Sequence, residues 1–236
     1  MKKVIAIFVV LLLTISTAIA EIDFTNMTAE EILQVINQAY DQLNILRASP
    51  SESTEKLVYS GTKTKIISGV TVDFSPCRVT FIQDGNTSYS VSYLRGDSSG
   101  TLVNEFKGNK SVVLLNKDGD YEFSIEASSP WTLEIEPLAT AGALELSGHG
   151  DYVSDIYTIH GSTIIDIEAK YYEFDNCIIH VYTLGKYGWS SNGLTNGLQS
   201  SGTESFEKII KASGETLLFF TIDFDNGDWS IKPSAE

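Results

Sequence analysis

The chain has 236 residues and a formal net charge of −15, from 16 basic and 31 acidic side chains. Such an acidic surface repels phosphate backbones and anionic lipids, which argues against nucleic acids and membrane surfaces as partners. Only two cysteines are present, so a hydrophobic core rather than a set of disulfides has to stabilise the fold.

Residues 1–20 have the pattern of a signal peptide. A basic start, Lys2-Lys3, precedes an apolar run over 4–13, and Ala18-Ile19-Ala20 supplies small residues for cleavage before Glu21. The apolar run is short for a membrane span, and a retained N-terminal anchor stays open as the alternative. We expect a soluble, secreted protein of the extracellular space, with no membrane partner after cleavage. Removing two of the 16 basic residues leaves 14, so the mature chain would carry a charge of −17.

Residues 21–55 hold the predicted helix and a polar linker. Thr28-Ala29-Glu30-Glu31 is a capping box, and Pro50 stops the helix from continuing. Apolar residues recur at the helical period, at Ile32, Val35, Ile36, Ala39, Leu43 and Leu46. We expect the apolar face of this amphipathic helix to pack on the domain that follows or to mediate self-association.

From residue 57 onward, apolar and polar side chains alternate with a period of two. Cys77, Val79 and Phe81 fall on one side of such a run, and Cys177 and Ile179 do so in another. This alternation is typical of strands with one face on a core and one in water. Turn signals separate the predicted strands, at Asp84-Gly85-Asn86, Asp118-Gly119 and Asp225-Asn226-Gly227.

The same order of motifs occurs twice. A serine-glycine pair opens each half, at Gly61 and Gly148, and a tryptophan begins the last strand of each half, at Trp131 and Trp229. The glycines are 87 residues apart and the tryptophans 98, which indicates one supersecondary plan used twice. The predicted fold class is all-β, with two tandem antiparallel β-sandwich modules of jelly-roll or Ig-like type preceded by one N-terminal amphipathic helix. The modules span 56–137 and 147–236, with a connector at 138–146.

Strand parity also predicts which side chains lie inside. Trp131 and Trp229 share parity with aliphatic neighbours, so both rings should belong to the cores. Cys77 and Cys177 should each face the core of their own module, which places them too far apart for a disulfide. We therefore predict two buried free thiols in an exported protein.

The serine-glycine openers, above all Ser147-Gly148-His149-Gly150-Asp151, and the endings at 131–137 and 229–233 resemble a recurring module of uncharacterised secreted bacterial β-sandwich proteins. The helix start at Met27-Thr28-Ala29-Glu30-Glu31-Ile32-Leu33 is similar to their leaders. The resemblance implies export and the sandwich fold. It brings no catalytic residues to this chain.

The first candidate binding site centres on Trp189. This residue lies in the Gly/Ser/Asn-rich stretch 184–197, predicted to be a loop, and 95–101 in the first copy has no matching aromatic. An aromatic face in such a loop can stack on a sugar or an apolar side chain, although the ring can equally fold back over the sandwich edge. If successive strands are antiparallel, Tyr187, Trp189 and Asn192 lie near Asp225 and Asp228, at the same end as the turn at 159–162.

The opposite end supplies the alternative site, with the opener at 148–151, the loop at 170–175 and the turn at 212–214. Its candidate residues are His149, Asp151, Tyr171 and Tyr172. Oxygen ligands at short spacing suit calcium, but Asp225-Asn226-Gly227-Asp228 is shorter than an EF-hand loop and Asn-Gly is a hairpin signal. We therefore predict a turn and commit to no metal and no cofactor, while calcium stays open.

No enzymatic motif stands out. The three histidines have no metal-ligand spacing, and no nucleophile elbow, His-Glu-x-x-His helix or phosphate-binding glycine loop occurs. A carboxylate pair for glycoside processing stays open, but nothing singles one out. We expect a secreted, non-enzymatic binding module that recognises an extracellular glycan, a cell-wall component or a protein. The alternative is a structural or assembly protein that acts by self-association.

Overall fold

The computed structural model describes Thr28, residues 55–185 and residues 188–234, without the side chains of residues 106 and 107. These residues form fifteen β-strands and contain no helix, which confirms the all-β prediction for this part of the chain. It follows that none of the described segments is a helix with the length and apolarity that a membrane crossing requires. The predicted signal peptide and the predicted N-terminal helix lie outside the described residues.

The strands divide into two groups along the chain. The first group is β1 Leu57–Gly61, β2 Lys65–Val72, β3 Cys77–Arg95, β4 Ser98–Leu115, β5 Gly119–Ala127 and β6 Trp131–Pro137. The second group is β7 Leu146–His149, β8 Tyr152–Val153, β9 Tyr157–His160, β10 Thr163–Tyr171, β11 Asp175–Gly185, β12 Gly188–Gln199, β13 Gly202–Ile210, β14 Glu215–Asp223 and β15 Gly227–Pro233.

In the first half, six strands share one antiparallel sheet in the order β1-β6-β3-β5-β2, with β4 on the other edge of β3. The long strand β3 pairs with β6 from Cys77 to Gln83 and with β5 from Tyr89 to Leu94. Because two different strands follow one another along the same edge of β3, the sheet folds over and encloses a core of its own.

In the second half, the strands form two antiparallel sheets, β13-β10-β15-β7 and β12-β11-β14-β8, with β9 also on β14. These pairings follow the order seen around β3 and β4, with β10 and β11 in place of β3, and β12 and β13 in place of β4. The difference is that β3 and β4 are continuous strands, whereas turns at 172–174 and 200–201 separate β10 from β11 and β12 from β13.

Alternating burial along the strands builds the cores. β5 buries Tyr121, Phe123 and Ile125, and β10 buries Ile165 and Ile167, as the period of two predicts. One cluster of buried residues lies between positions 67 and 135 and another between 144 and 231. A third, smaller cluster combines Val112, Leu138, Val153, Ile156 and Phe219 and so joins the two halves.

Both predicted core tryptophans are buried, with 2% of Trp131 and 3% of Trp229 exposed. Trp131 lies opposite Gly61 in the β1–β6 pair, and Trp229 lies opposite Gly148 in the β7–β15 pair. The indole N–H of Trp131 donates to the carbonyl oxygen of Lys63 (2.9 Å), and that of Trp229 donates to the carbonyl of Gly150 (2.8 Å). Each buried indole therefore has its polar group satisfied two residues beyond the glycine.

The thiol prediction is confirmed. Cys77 and Cys177 are both free and buried, and they belong to different core clusters. Burial raises the pKa of each thiol to about 12, because the charged thiolate is disfavoured away from water.

Two strand predictions were wrong. Asp84-Gly85-Asn86 does not end a strand, since β3 runs through it with an irregular register and Gly85 adopts a φ of 90°. The stretch 184–197 is not a loop, because β11 and β12 form a hairpin in which Leu184 pairs with Trp189. In the first half, most of 95–101 likewise belongs to the hairpin of β3 and β4.

Candidate functional site

The turns of the second half are distributed differently from the prediction. Strand β12 adds a reversal of chain direction that the sequence had not indicated, so the turn after Asp223 lies with the turns at 150–151 and 172–174. The amide of Asn226 donates to Asp175 (2.8 Å), and the amide of Gly150 donates to the carbonyl of Gly227 (3.0 Å). The predicted meeting of Trp189 with Asp225 and Asp228 is therefore wrong.

Trp189 lies at the far end of the sheet. Trp189 pairs with Leu184 of β11, whereas Asp223 pairs with Ile178 of β11. The six residues between these two positions of β11 span about 20 Å. The half-buried Trp189 ring meets Phe219 edge to face, at 4.8 Å between centroids, within the apolar cluster that joins the halves. Asn192 is exposed on β12, and Tyr187 lies outside the described residues.

Three residues of the predicted sites, His149, Tyr172 and Asp228, do come together at the start of β15. Asp228 lies opposite His149 of β7 and opposite Lys170 of β10. Its carboxylate contacts His149 Nδ1 at 2.9 Å and accepts a hydrogen bond from the Tyr172 hydroxyl. The Lys170 ammonium lies 4.9 Å from the centre of the Tyr172 ring, a cation–π contact. The pKa of Asp228 is lowered, mainly by the hydrogen bond from the Tyr172 hydroxyl and next by the contact with His149.

The turn that carries Tyr172 is held in place by its neighbours. Glu173 accepts a hydrogen bond from the side-chain amide of Asn226 (2.6 Å), and Asp175 accepts one from the backbone amide of the same residue (2.8 Å). Phe174 follows in this turn with 70% of its surface exposed. We call His149, Tyr172, Phe174 and Asp228 the aromatic end.

Tyr171 does not belong to this surface. Only 2% of the residue is exposed, and its ring packs edge to face on Phe224 within the core. Its hydroxyl donates to the carbonyl of Gly197 and to Glu204. Burial raises the pKa of this phenol, so it stays neutral at ordinary pH. The prediction of Tyr171 as a ligand residue is corrected to a core role, because position 171 has the inward parity of β10.

Asp151 does not belong to the aromatic end either, and lies in a group of acidic side chains. It accepts a hydrogen bond from the Phe224 amide (3.0 Å), and carboxylate oxygens of Asp151, Asp223 and Asp225 all lie within 4.8 Å of one another. Exposed acidic groups at such spacing are common without an ion. Asp228 of the same turn does not join this group, because it contacts His149 and Tyr172 instead. The group therefore does not by itself define a metal site.

Asp151 and Asp223 border a cleft between the two halves. The cleft has a volume of about 260 Å³ and is lined by β4 on one side and by β8, β14 and Asp151 on the other. Partial burial, followed by repulsion from neighbouring acids, raises the pKa of Asp151 to about 7. Burial also raises the pKa of Glu105 on β4 and of Asp223, although Asp223 keeps more exposed surface than Asp151.

Sequence reasoning missed Phe174, Glu105 and Asp223. Phe174 follows Glu173 and precedes Asp175, and an aromatic ring between two acids near a predicted turn could have marked it as exposed. Nothing in the sequence links Glu105 to Asp223, because they meet only through the packing of the two halves.

No family model and no curated protein matches the chain. Among solved structures, a structure of the infectious bursal disease virus Gt strain is similar at 10% identity and a TM-score of 0.27, covering 81% of this chain and 75% of that one. The PBSX exported protein XepA is similar at 10% identity and a TM-score of 0.25, covering 75% and 83%.

A protein of Parabacteroides distasonis described as secreted is also similar, at 8% identity and a TM-score of 0.20, covering 78% of this chain and 91% of that one. The structural neighbours of this all-β chain thus include a secreted and an exported protein. Their TM-scores are too low to carry a function across.

Proposed function

We propose that this protein is exported and acts as a non-enzymatic binding protein, with the aromatic end as its ligand site. One observation carries the proposal: Phe174 and Tyr172, two residues apart, are 70% and 48% exposed. Because these aromatic side chains are not buried in a core, their faces can stack on the C–H faces of a sugar. Asp228 and His149 beside them supply polar groups, so an extracellular glycan or cell-wall component is the proposed ligand.

The proposed organisation is a signal peptide at 1–20, a helical segment at 21–55 and two sandwich modules at 56–137 and 147–236. The separate core clusters of the halves support it, and so does the matching order of strand pairing. The strongest support is the pairing of Gly61 with Trp131 and of Gly148 with Trp229, each with its indole hydrogen bond.

Comparison of the two halves supports the aromatic end as the site. Where β3 continues through Asp84-Gly85-Asn86, the second half opens into the turn between β10 and β11 that carries Tyr172 and Phe174. A sandwich can therefore close without this turn. Loops on a rigid scaffold commonly carry recognition, and two hydrogen bonds from Asn226 to Glu173 and Asp175 connect this turn to the turn before β15.

A glycan array on the mature protein tests the proposal. For a glycan that binds, Phe174→Ala should weaken affinity by about 1–3 kcal/mol, by analogy with aromatic anchors of interfaces. Leu94→Ala is the matched control, since Leu94 is an exposed apolar residue (46%) of the first half. Equal binding by the Phe174→Ala and Leu94→Ala variants, or no binding to any glycan, would contradict the proposal.

An assembly protein that acts by self-association is the second candidate, and one observation favours it. Ile164 and Ile209 lie opposite each other in the β10–β13 pair, and they are 45% and 58% exposed. Strand β13 is an edge of its sheet, and exposed apolar edges invite pairing with another chain. Light scattering should then show a concentration-dependent mass that Ile209→Lys reduces, whereas a constant monomer mass would leave the binding role.

A further inference from the structure

The contact between the two halves has an apolar part and an ionic part. Val112 of β4 belongs to the cluster that contains Phe219, and Leu114, Tyr182 and Trp189 pack against this cluster. The Arg78 guanidinium of β3 reaches across, donating to the carbonyl of Val153 (2.7 Å) and to Asp155 (3.0 Å). Arginine keeps its charge throughout the ordinary pH range, so the Arg78 guanidinium itself does not titrate there.

The cleft beside this contact has acids on both walls. Glu105 belongs to the wall from β4, and Asp151 and Asp223 belong to the wall of the second half. Asp225 lies next to these two aspartates. We call this set the cleft carboxyls: Glu105, Asp151, Asp223 and Asp225. When all of them are ionised, like charges face each other across a partly buried gap, which is unfavourable.

The surroundings offer little compensation among the described side chains. Asp175 of β11 adds a further negative charge near Asp223 and Asp225, and His180 of the same strand is the basic group that acts on Asp223. From β3, Tyr89 faces the cluster, and its pKa is raised to about 12, chiefly by burial and in part by these acids. Ser111 shares a hydrogen bond with Tyr89 (2.7 Å) and acts against burial by lowering the pKa of Glu105.

We propose that pH controls how firmly the two halves are held together: the cleft stays closed while the cleft carboxyls are protonated and opens when they become ionised.

The direction follows from repulsion across the cleft, since after burial the charges of Asp225 and Asp223 raise the pKa of Glu105 on the opposite wall. Opening the cleft removes this repulsion, so the carboxyl groups have their higher pKa values in the closed form. A carboxyl group with a higher pKa in the closed form binds its proton more tightly there, so protonation favours closure. For Asp151 this stabilisation is complete below the pKa of the open form and is lost by the time the pH reaches about 7, the pKa in the closed form. Each pKa unit that separates the closed and open forms corresponds to about a tenfold change in their ratio.

Acrylamide quenching of tryptophan fluorescence in the full chain, from pH 5 to pH 8, tests the proposal. Trp131 and Trp229 are buried within their own halves, whereas Trp189 lies at the contact between them. We expect quenching to increase as the pH rises from 5 and to level off above about pH 7, where Asp151 is ionised in both forms. The increase should vanish in Trp189→Phe, which identifies the ring that becomes accessible.

The combination of Glu105→Gln with Asp151→Asn should keep quenching at its pH 5 level up to pH 8. Asp97→Asn is the matched control, because Asp97 is an exposed acid in the turn between β3 and β4, and it should retain the wild-type profile. If the double variant fails to fold, Glu105→Gln alone should reduce the rise in quenching, since it removes the charge on the β4 wall that repels Asp223 and Asp225. A flat wild-type profile, or one that neither variant alters, would overturn the proposal.

Discussion

Gly148 lies directly opposite Trp229, and the indole ring covers the glycine so closely that a β-carbon there would be 2.6 Å from Cζ2 of the ring. Gly61 and Trp131 stand in the same relation in the first half, with a corresponding distance of 2.5 Å. A glycine covered by a cross-strand aromatic is a known way to fill the missing side-chain space in a sheet. The two pairs explain why a serine-glycine opener and a final tryptophan occur together in each half.

We expect Gly148→Ala to lower the free energy of unfolding by about 1–3 kcal/mol, the usual cost of overpacking a core. The added methyl group would collide with a buried ring that is held by its hydrogen bond to Gly150. Urea denaturation measures the effect. Gly193→Ala is the control on strand β12, where a β-carbon would meet only His180, at 3.9 Å. Equal stability of the two variants would contradict this prediction.

Trp189→Ala should destabilise the protein by about 1–3 kcal/mol, less than the cost for a fully buried tryptophan. The reason is the loss of the edge-to-face contact with Phe219 and of the apolar cluster between the halves. Thermal unfolding compares this variant with Trp189→Phe, which keeps a ring and should lose less. Unchanged stability in Trp189→Ala would show a free ring and would return Trp189 to the candidate ligand residues.

Strand parity predicted much of the interior, although Tyr171 was assigned to a binding site in spite of its inward parity. Cys77, Phe81 and Trp229 all lie inside because a period of two assigns each residue to one face, and burial of apolar area then decides which face turns inward. The all-β class follows from the same pattern.

The predicted site around Trp189 was placed wrongly because one strand gave no signal, whereas His149 and Tyr172 of the alternative site do lie together. Strand β12 contains three glycines, two serines and two asparagines among its 12 residues, a composition typical of a loop. It is a strand because β11 supplies a partner along its whole length. Missing it reversed the assignment of every later turn, which moved Asp225 and Asp228 to the wrong end.

Both thiols should resist a small alkylating reagent in the native protein and react fully in denaturant. The thiolate is the reactive form, and burial raises the pKa of Cys77 and of Cys177 to about 12. Mass spectrometry without reduction should give the mass of the dithiol form. Rapid native labelling of either cysteine, or a mass about 2 Da lower, as loss of two hydrogens on S–S formation requires, would contradict the prediction.

Arg78→Met should cost about 1–3 kcal/mol of stability, because the carbonyl of Val153 and the carboxylates of Glu136 and Asp155 lose a shared donor. The estimate is discounted because both carboxylates are about one-third exposed (31% and 35%). Lys56→Met is the matched control, since Lys56 is itself exposed (39%) and pairs with Glu134 within the first half, and it should change stability by less than about 0.5 kcal/mol. Similar losses in both variants would show that Arg78 has no special part in joining the halves.

The pKa of Asp228 should rise when Tyr172 is replaced by phenylalanine. The Tyr172 hydroxyl is the first cause of its lowered pKa, ahead of His149, because a hydrogen bond to the charged form favours ionisation. A carboxyl group whose pKa is lowered by folding adds stability above its unfolded pKa of about 3.8, and this stability is lost as the pH falls through the folded pKa. The contacts of Asp228 with His149 and Tyr172 should therefore persist at neutral pH and be lost in acid.

An NMR titration of the Asp228 carboxyl carbon measures its pKa in the wild type, in Tyr172→Phe and in the control Tyr93→Phe. If Tyr172→Phe leaves the titration of Asp228 where it is in wild type, the hydroxyl does not hold the carboxylate, and the aromatic end lacks the rigidity that its proposed role requires.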